Sequence, residues 1–202
     1  NLIRYVPYGV ASIISPWNFP VAILNGMLAA AIVTGNTAVA KPSPETPLCA
    51  AELMQIYEKT RLPANVLQLV VCEDKDASLF VDSPLVNIIA FTGSEKIGKQ
   101  IYQNAAVVHE GQNNQGQQHF KKVILETGGK NAIIVDSSAD LELAVAGCIK
   151  SAFGYSGQKC SAGSRFIVVE EVYDAFVEKV VAATKSLRTG DAVHLETDVN
   201  AL

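Results

Sequence analysis

The chain has 202 residues, 49% of them hydrophobic and 18% charged, with a net charge of −4. So apolar and charge-poor a composition excludes a disordered chain, and an acidic balance without a basic cluster gives no electrostatic footprint for nucleic acid. The length admits one large domain, or one complete domain with part of another.

Residues 5–40 carry no charge at all. Residues 10–15 (VASIIS) read as a strand ending at Pro16. The most apolar stretch, residues 21–33, contains Asn25-Gly26 and is bounded by Pro20 and Gly35-Asn36. A bilayer span needs about 20 apolar residues, and Pro7, Pro16 and Pro20 break any secretory core. The stretch over 21–34 therefore reads as a helix buried on several sides, with no membrane partner.

A second strand is expected at 37–40, stopped by Lys41-Pro42, then a helix over 44–60 with Ala50, Leu53, Met54 and Tyr57 at helical spacing. Strands at 66–71 and 86–91 enclose a short helix around 77–81. The polar segment 111–118 (GQNNQGQQ) reads as a surface loop or linker. Beyond it, β-like runs at 123–126 and 132–135 flank Gly128-Gly129, and a helix over 141–151 precedes a strand at 166–169. Residues 172–187 form an amphipathic helix with Val172, Phe176, Val177, Val180 and Ala183 on its apolar face, and residues 190–202 are turn-like. Strands alternating with helices indicate an α/β fold built from βαβ units, with a parallel sheet covered by helices on both faces. Residues 1–122 form a nucleotide-fold candidate and residues 123–202 the beginning of a second α/β unit.

Cys49, Cys72, Cys148 and Cys160 contain no CxxC pair, and His109, His119 and His194 form no HExxH cluster. No zinc or other metal site is expected. Scattered thiols suit a reducing, cytoplasmic setting. The first three cysteines fall in apolar helix or strand patterns and read as inert core residues.

Cys160 does not. It follows Gly154 and Gly157 in a loop between a helix and a strand; such a cysteine is either a nucleophile or a surface residue of no function. Glu126, at the end of an apolar strand, is either ion-paired or a tuned general base. Asn18, in the stiff turn Ser15-Pro16-Trp17-Asn18-Phe19-Pro20, can donate to an oxyanion or cap the next helix. Lys41 either meets ligand hydroxyls or phosphate or marks the sheet edge. The GxGxxG and P-loop patterns are absent. In their place Phe91-Thr92-Gly93-Ser94 joins a strand to a helix, either an ordinary cap or an anion site.

PWNFP (16–20), KPSPETP (41–47), FTGSEKIG (91–98), LETGGKN (125–131) and FGYSGQKCS (153–161) stand in this order along the chain. Together they resemble the NAD(P)-dependent aldehyde dehydrogenases over nearly the whole sequence. FGYSGQKCSA, GGKNAIIVD and the polar loop before His119 are similar to the 1-pyrroline-5-carboxylate dehydrogenases, which oxidise L-glutamate γ-semialdehyde to glutamate in proline catabolism. The resemblance implies a Rossmann-like NAD-binding domain over 1–122 and the start of the catalytic domain over 123–202. It implies Cys160 as nucleophile, Asn18 as oxyanion holder and Glu126 as the base that activates water. Lys41, Gly93, Ser94, Pro16 and Trp17 would bind NAD, or NADP, and Ser161 the substrate carboxylate. It also implies a small aldehyde substrate and a homo-oligomeric parent.

The match departs at Pro44, where many members carry a glutamate, and at Gly163, where many of the semialdehyde branch carry a second cysteine. The family is much longer. The chain is therefore expected to be a fragment with little activity alone, or else a truncated, non-catalytic module that binds nucleotide or a partner protein.

Overall fold

A run of apolar residues with no polar alternation can be satisfied only by burial on both faces, and residues 10–14 occupy the place in the fold that provides it. In the computed structural model, which describes residues 1–107 and 119–200, they form β1 (Val10–Ile14) at the centre of a five-stranded sheet. The polar segment expected as a loop at 111–118 lies outside the described residues. The chain divides into two compact units, Asn1–Thr127 and Gly128–Leu202.

In the first unit α1 (Ala22–Val33) leads to β2 (Thr37–Lys41), and α2 (Pro47–Glu58) to β3 (Leu67–Leu69). A 3-10 turn (Asp74–Asp76) and the short α3 (Leu79–Asp82) then return the chain past β1 to β4 (Val86–Gly93). Helix α4 (Glu95–Ala105) and β5 (Lys122–Thr127) complete the unit. The strand order is β3-β2-β1-β4-β5 and every pair is parallel. Residue 122 falls at the start of β5, which pairs with β4 over its whole length, so the first unit runs on to Thr127.

Alternation along the strands builds two cores. Ala11, Ile13, Ala38, Ala40 and Ala90 face Leu24, Leu28 and Ala31 of α1 and Ala50 and Leu53 of α2. Ile14, Ile89 and Phe91 face α3 and α4 through Phe80, Val81, Ile101 and Ala105. Alanines on the first face let α1 lie close to the sheet, and each fully buried leucine contributes about 1.5–3 kcal/mol.

The expectation of a helix buried on several sides does not hold. Only the stripe Leu24, Leu28, Ala31 is buried, while Val21, Gly26, Ala30 and Val33 stay exposed. Residues at i, i+4 and i+7 share one face, and a single sheet can cover only that face.

In the second unit β6 (Asn131–Val135) and β7 (Gly163–Val168) form a parallel pair joined through α5 (Leu141–Phe153), and α6 (Glu170–Lys185) follows. Asp140 caps α5 by accepting from the Glu142 and Leu143 N–H groups at 3.0 and 3.1 Å. The core is Val135, Val145, Cys148 and Phe176, with the Phe166 ring edge-on to Phe176. Val177, expected on the apolar face of α6, is exposed; among the described residues the helix joins the core through Phe176, with Val172, Val180 and Ala183 packed beside it. Cys148 is fully buried as expected, and burial pushes its thiol pKa up. Cys49 is half-buried in α2, and Cys72 is half-buried beyond β3 rather than within it. Among the described residues no helix is long and apolar enough to cross a membrane.

Candidate active site

In a parallel sheet that winds outward both ways from a central strand, the two neighbouring connections diverge and leave a crevice at the carboxyl ends of the strands. Here the divergence lies between β1, which continues to β2 on one side, and β4, which continues to β5 on the other. A cleft of about 420 Å³ lies there, lined by the residues that follow β1 (Ser15, Pro16, Trp17), end β2 (Lys41) and end β4 (Gly93, Ser94). All five residues expected at a cofactor, Pro16, Trp17, Lys41, Gly93 and Ser94, line it together.

Packing at the end of β4 leaves no room for a side chain at position 93. A Cβ on Gly93 would stand 2.5 Å from Cζ of Phe91, whose ring is buried in the second core. Ser94 caps α4, its hydroxyl accepting from the Ile97 N–H at 3.4 Å, and the other first-turn N–H groups are without intrahelical acceptors. Those donors and the helix dipole suit a pyrophosphate. Glu95 in the same turn is answered by Lys99, which holds its carboxyl below the ordinary carboxylate range by hydrogen bond and charge. Ser15, only 5% exposed, has no hydrogen-bond partner for its hydroxyl among the described residues and lines the cleft. A buried hydroxyl without a partner costs free energy that a bound polar group would recover. A dinucleotide fits these residues.

Lys41 does not mark a sheet edge, because β3 lies beyond β2. Its ammonium is almost wholly buried and meets the Asp74 carboxylate at 2.6 Å. A buried ammonium requires such a counter-charge. Asp74 and Ser15 escaped the sequence reading. The signal for Asp74 was the charged run Glu73-Asp74-Lys75-Asp76 directly after an apolar strand.

Asn18 sits half-buried in the turn between β1 and α1 and is not in the N-cap position, which Val21 occupies. Glu126 lies beside Thr92 at the carboxyl end of β5. Its strand is an edge strand with alternating exposure, not a buried one, and Glu126 points to the exposed side. No ion pair to it occurs among the described residues. Neither residue is among those lining the cleft.

Cys160 and Ser161 belong to the second unit, at the exposed tip of a turn in which the Ala162 N–H donates to the Lys159 carbonyl at 3.2 Å. The approach to that turn is strained. Tyr155, Ser156 and Gly157 have φ of 60°, 54° and 72° in succession, a left-handed run that costs non-glycine residues of order 1 kcal/mol or more. Ser156 is tied to Asn200 by hydrogen bonds. Asn131, from the start of β6, donates its side-chain amide to the carbonyls of Cys160 at 2.7 Å and Ala162 at 3.2 Å. The cysteine is thus held by its backbone while its side chain stays open to solvent. Asn131→Ala is expected to loosen this turn by about 1–2 kcal/mol, so that the Ala162 amide exchanges its hydrogen roughly 5- to 30-fold faster, as measured by hydrogen exchange.

The profile of the aldehyde dehydrogenase family matches residues 1–202. The chain is 47% identical over 192 residues to 1-pyrroline-5-carboxylate dehydrogenase 2 of Halalkalibacterium halodurans, covering 95% of this chain and 36% of that protein. It is 47% identical over 198 residues to 1-pyrroline-5-carboxylate dehydrogenase of Geobacillus kaustophilus, covering 98% and 38%. Among solved structures, a 1-pyrroline-5-carboxylate dehydrogenase from Thermus with bound NAD superposes with a TM-score of 0.89 at 36% identity, covering 97% of this chain and 37% of that one. Proline utilization A from Bdellovibrio bacteriovorus superposes with a TM-score of 0.90 at 44% identity, covering 96% and 20%. The chain thus spans little more than a third of the length of the curated relatives it matches. With a matching sequence throughout and a matching backbone in both units, the chain belongs to the aldehyde dehydrogenase family.

Proposed function

We propose that this chain serves the NAD-dependent oxidation of L-glutamate γ-semialdehyde to glutamate, a cytoplasmic step of proline catabolism carried out by a homo-oligomer. What supports the reading most is the gathering of Pro16, Trp17, Lys41, Gly93 and Ser94 in one cleft at the switch point of the first unit. The names of the relatives point to the same substrate, and one of the matched structures holds NAD.

Cys160, as the thiolate, adds to the aldehyde carbon; a C–S bond forms and the carbonyl electron pair moves to oxygen, giving a thiohemiacetal. The amide of Asn18 and the backbone N–H of Cys160 donate to that oxyanion. The chemistry that the dinucleotide supplies when bound is hydride acceptance. Glu126 takes the proton from the water that hydrolyses the thioester on Cys160, returning the sulfur as leaving group. The Ser161 hydroxyl donates to the substrate's carboxylate. Lys41 holds the adenosine ribose, and the start of α4 holds the pyrophosphate.

Titration of the purified chain with NAD, together with iodoacetamide labelling read by mass spectrometry, tests this reading. Saturable NAD binding with labelling at Cys160 and none at the buried Cys148 is the expected result. No binding and an unreactive Cys160 would leave only a non-catalytic module. By itself the chain is expected to turn over little aldehyde.

A further inference from the structure

A dinucleotide cleft must distinguish a free ribose 2′-hydroxyl from a phosphorylated one, and charge at the ribose end of the site decides between them. Among the described residues that line this cleft, Asp74 carries the one carboxylate. One of its oxygens meets the Lys41 ammonium at 2.6 Å. The partners differ sharply in exposure, 3% for the lysine side chain and 80% for the aspartate. The lysine side chain is therefore set within the wall, while the aspartate side chain is largely exposed to solvent at the lining of the cleft. An ionised carboxylate offers about four acceptor sites, and one ammonium contact leaves the others free for hydroxyl donors.

We propose that Asp74 is the cofactor-selecting residue, its carboxylate accepting the hydroxyls of an unphosphorylated adenosine ribose and turning away a ribose that bears a 2′-phosphate. This rests on the dinucleotide reading of the cleft. A phosphate monoester carries about −1.5 to −2 charge near neutrality. Set beside Asp74 it meets a like charge, and the nearest buried cation, Lys41, is already neutralised. Pro44, three residues beyond Lys41, has no acceptor side chain, and Glu45 does not line the cleft. The ribose-facing carboxylate therefore comes from the turn after β3. Lys75 is the opposing influence, an exposed cation on the same rim.

The test is calorimetric titration of the purified chain with NAD and NADP, and with AMP and adenosine 2′,5′-bisphosphate, which carry the contrast without the nicotinamide. The wild-type chain is expected to bind the unphosphorylated member of each pair at least about tenfold more tightly, with the gap shrinking at high salt. Asp74→Asn narrows the gap to about threefold or less, mainly through tighter binding of the phosphorylated ligands. Asp74→Glu keeps the charge and the gap, which protects the test should the unpaired Lys41 unsettle the asparagine variant. Asp76→Asn, an exposed acid of the same turn that does not line the cleft, leaves the gap unchanged. Equal or tighter binding of NADP by the wild-type chain, or an unchanged gap in Asp74→Asn, overturns the assignment while leaving the cleft a nucleotide site. Failure of all four ligands to bind overturns the dinucleotide reading itself, and the assignment with it.

Discussion

Alanine in place of Cys160 is expected to lower kcat for aldehyde oxidation by at least about 10⁴-fold, in a form of the protein whose wild type turns aldehyde over. On the proposed mechanism, loss of the sulfur removes the thiohemiacetal, and the neighbouring hydroxyl of Ser161 and amine of Lys159 are not thiols that could replace it. The change removes one atom from an exposed side chain, so stability should stay within about 0.5 kcal/mol and NAD affinity should not change. Cys148→Ala is the opposite case. Cys148, on α5, is fully buried in the core of the second unit, so its truncation should cost about 1 kcal/mol or more in stability while iodoacetamide labelling at Cys160 persists. A Cys160→Ala variant that kept its activity would show that the nucleophile lies elsewhere.

Valine at Gly93 is expected to weaken NAD binding by about 10- to 100-fold, the equivalent of the roughly 1–3 kcal/mol that overpacking costs. The obstruction is the aromatic ring beneath it. A Cβ would stand 2.5 Å from Phe91 Cζ, and Phe91 is held at 5% exposure by its own core. Either the strand end moves or the ring does, and both displace the Ser94 cap and the first amides of α4. Gly98→Ala provides the contrast within the same helix. The atom nearest its Cβ would be Thr127 Cγ2 at 3.2 Å, a methyl group at a strand end that can give by a few tenths of an ångström. Its effect on NAD affinity should stay under about threefold. Equal losses in the two variants would mean that the helix as a whole, not the Gly93 approach, controls binding.

The strands and helices were largely legible because their signals are local. β1 and β4 are apolar runs bounded by turn residues, α4 follows a serine cap, and α5 follows the Asp140 cap. Errors arose where the answer depends on what lies across from a residue. Glu126 looked like the end of a buried strand because Val123-Ile124-Leu125 is apolar, yet β5 is an edge strand whose two faces differ in exposure. Val177 has the right period for the core face of α6, but the helix joins the core along a narrower stripe, Val172, Phe176, Val180 and Ala183. The hydrophobicity of α1 suggested burial on several sides, and the unit buries one stripe of it.

By itself the sequence determined the α/β class and the order of the elements, since each is a property of short windows, and it offered candidates for the chemistry, from which Asp74 and Ser15 were missing. Five motifs in order also placed the chain in its family. Only the tertiary structure decided which of these residues share a place. It gathered Pro16, Trp17, Lys41, Gly93 and Ser94 from three strands that are adjacent in the sheet but separated by up to about 80 residues of chain, because parallel strands bring their carboxyl ends to one edge. It also set Asp74 against Lys41, 33 residues earlier in the chain, a pairing imposed by the need of a buried ammonium for a counter-charge. The long uncharged opening supplies the centre of that sheet, and the first cation after it, Lys41, is buried in the wall of the cleft.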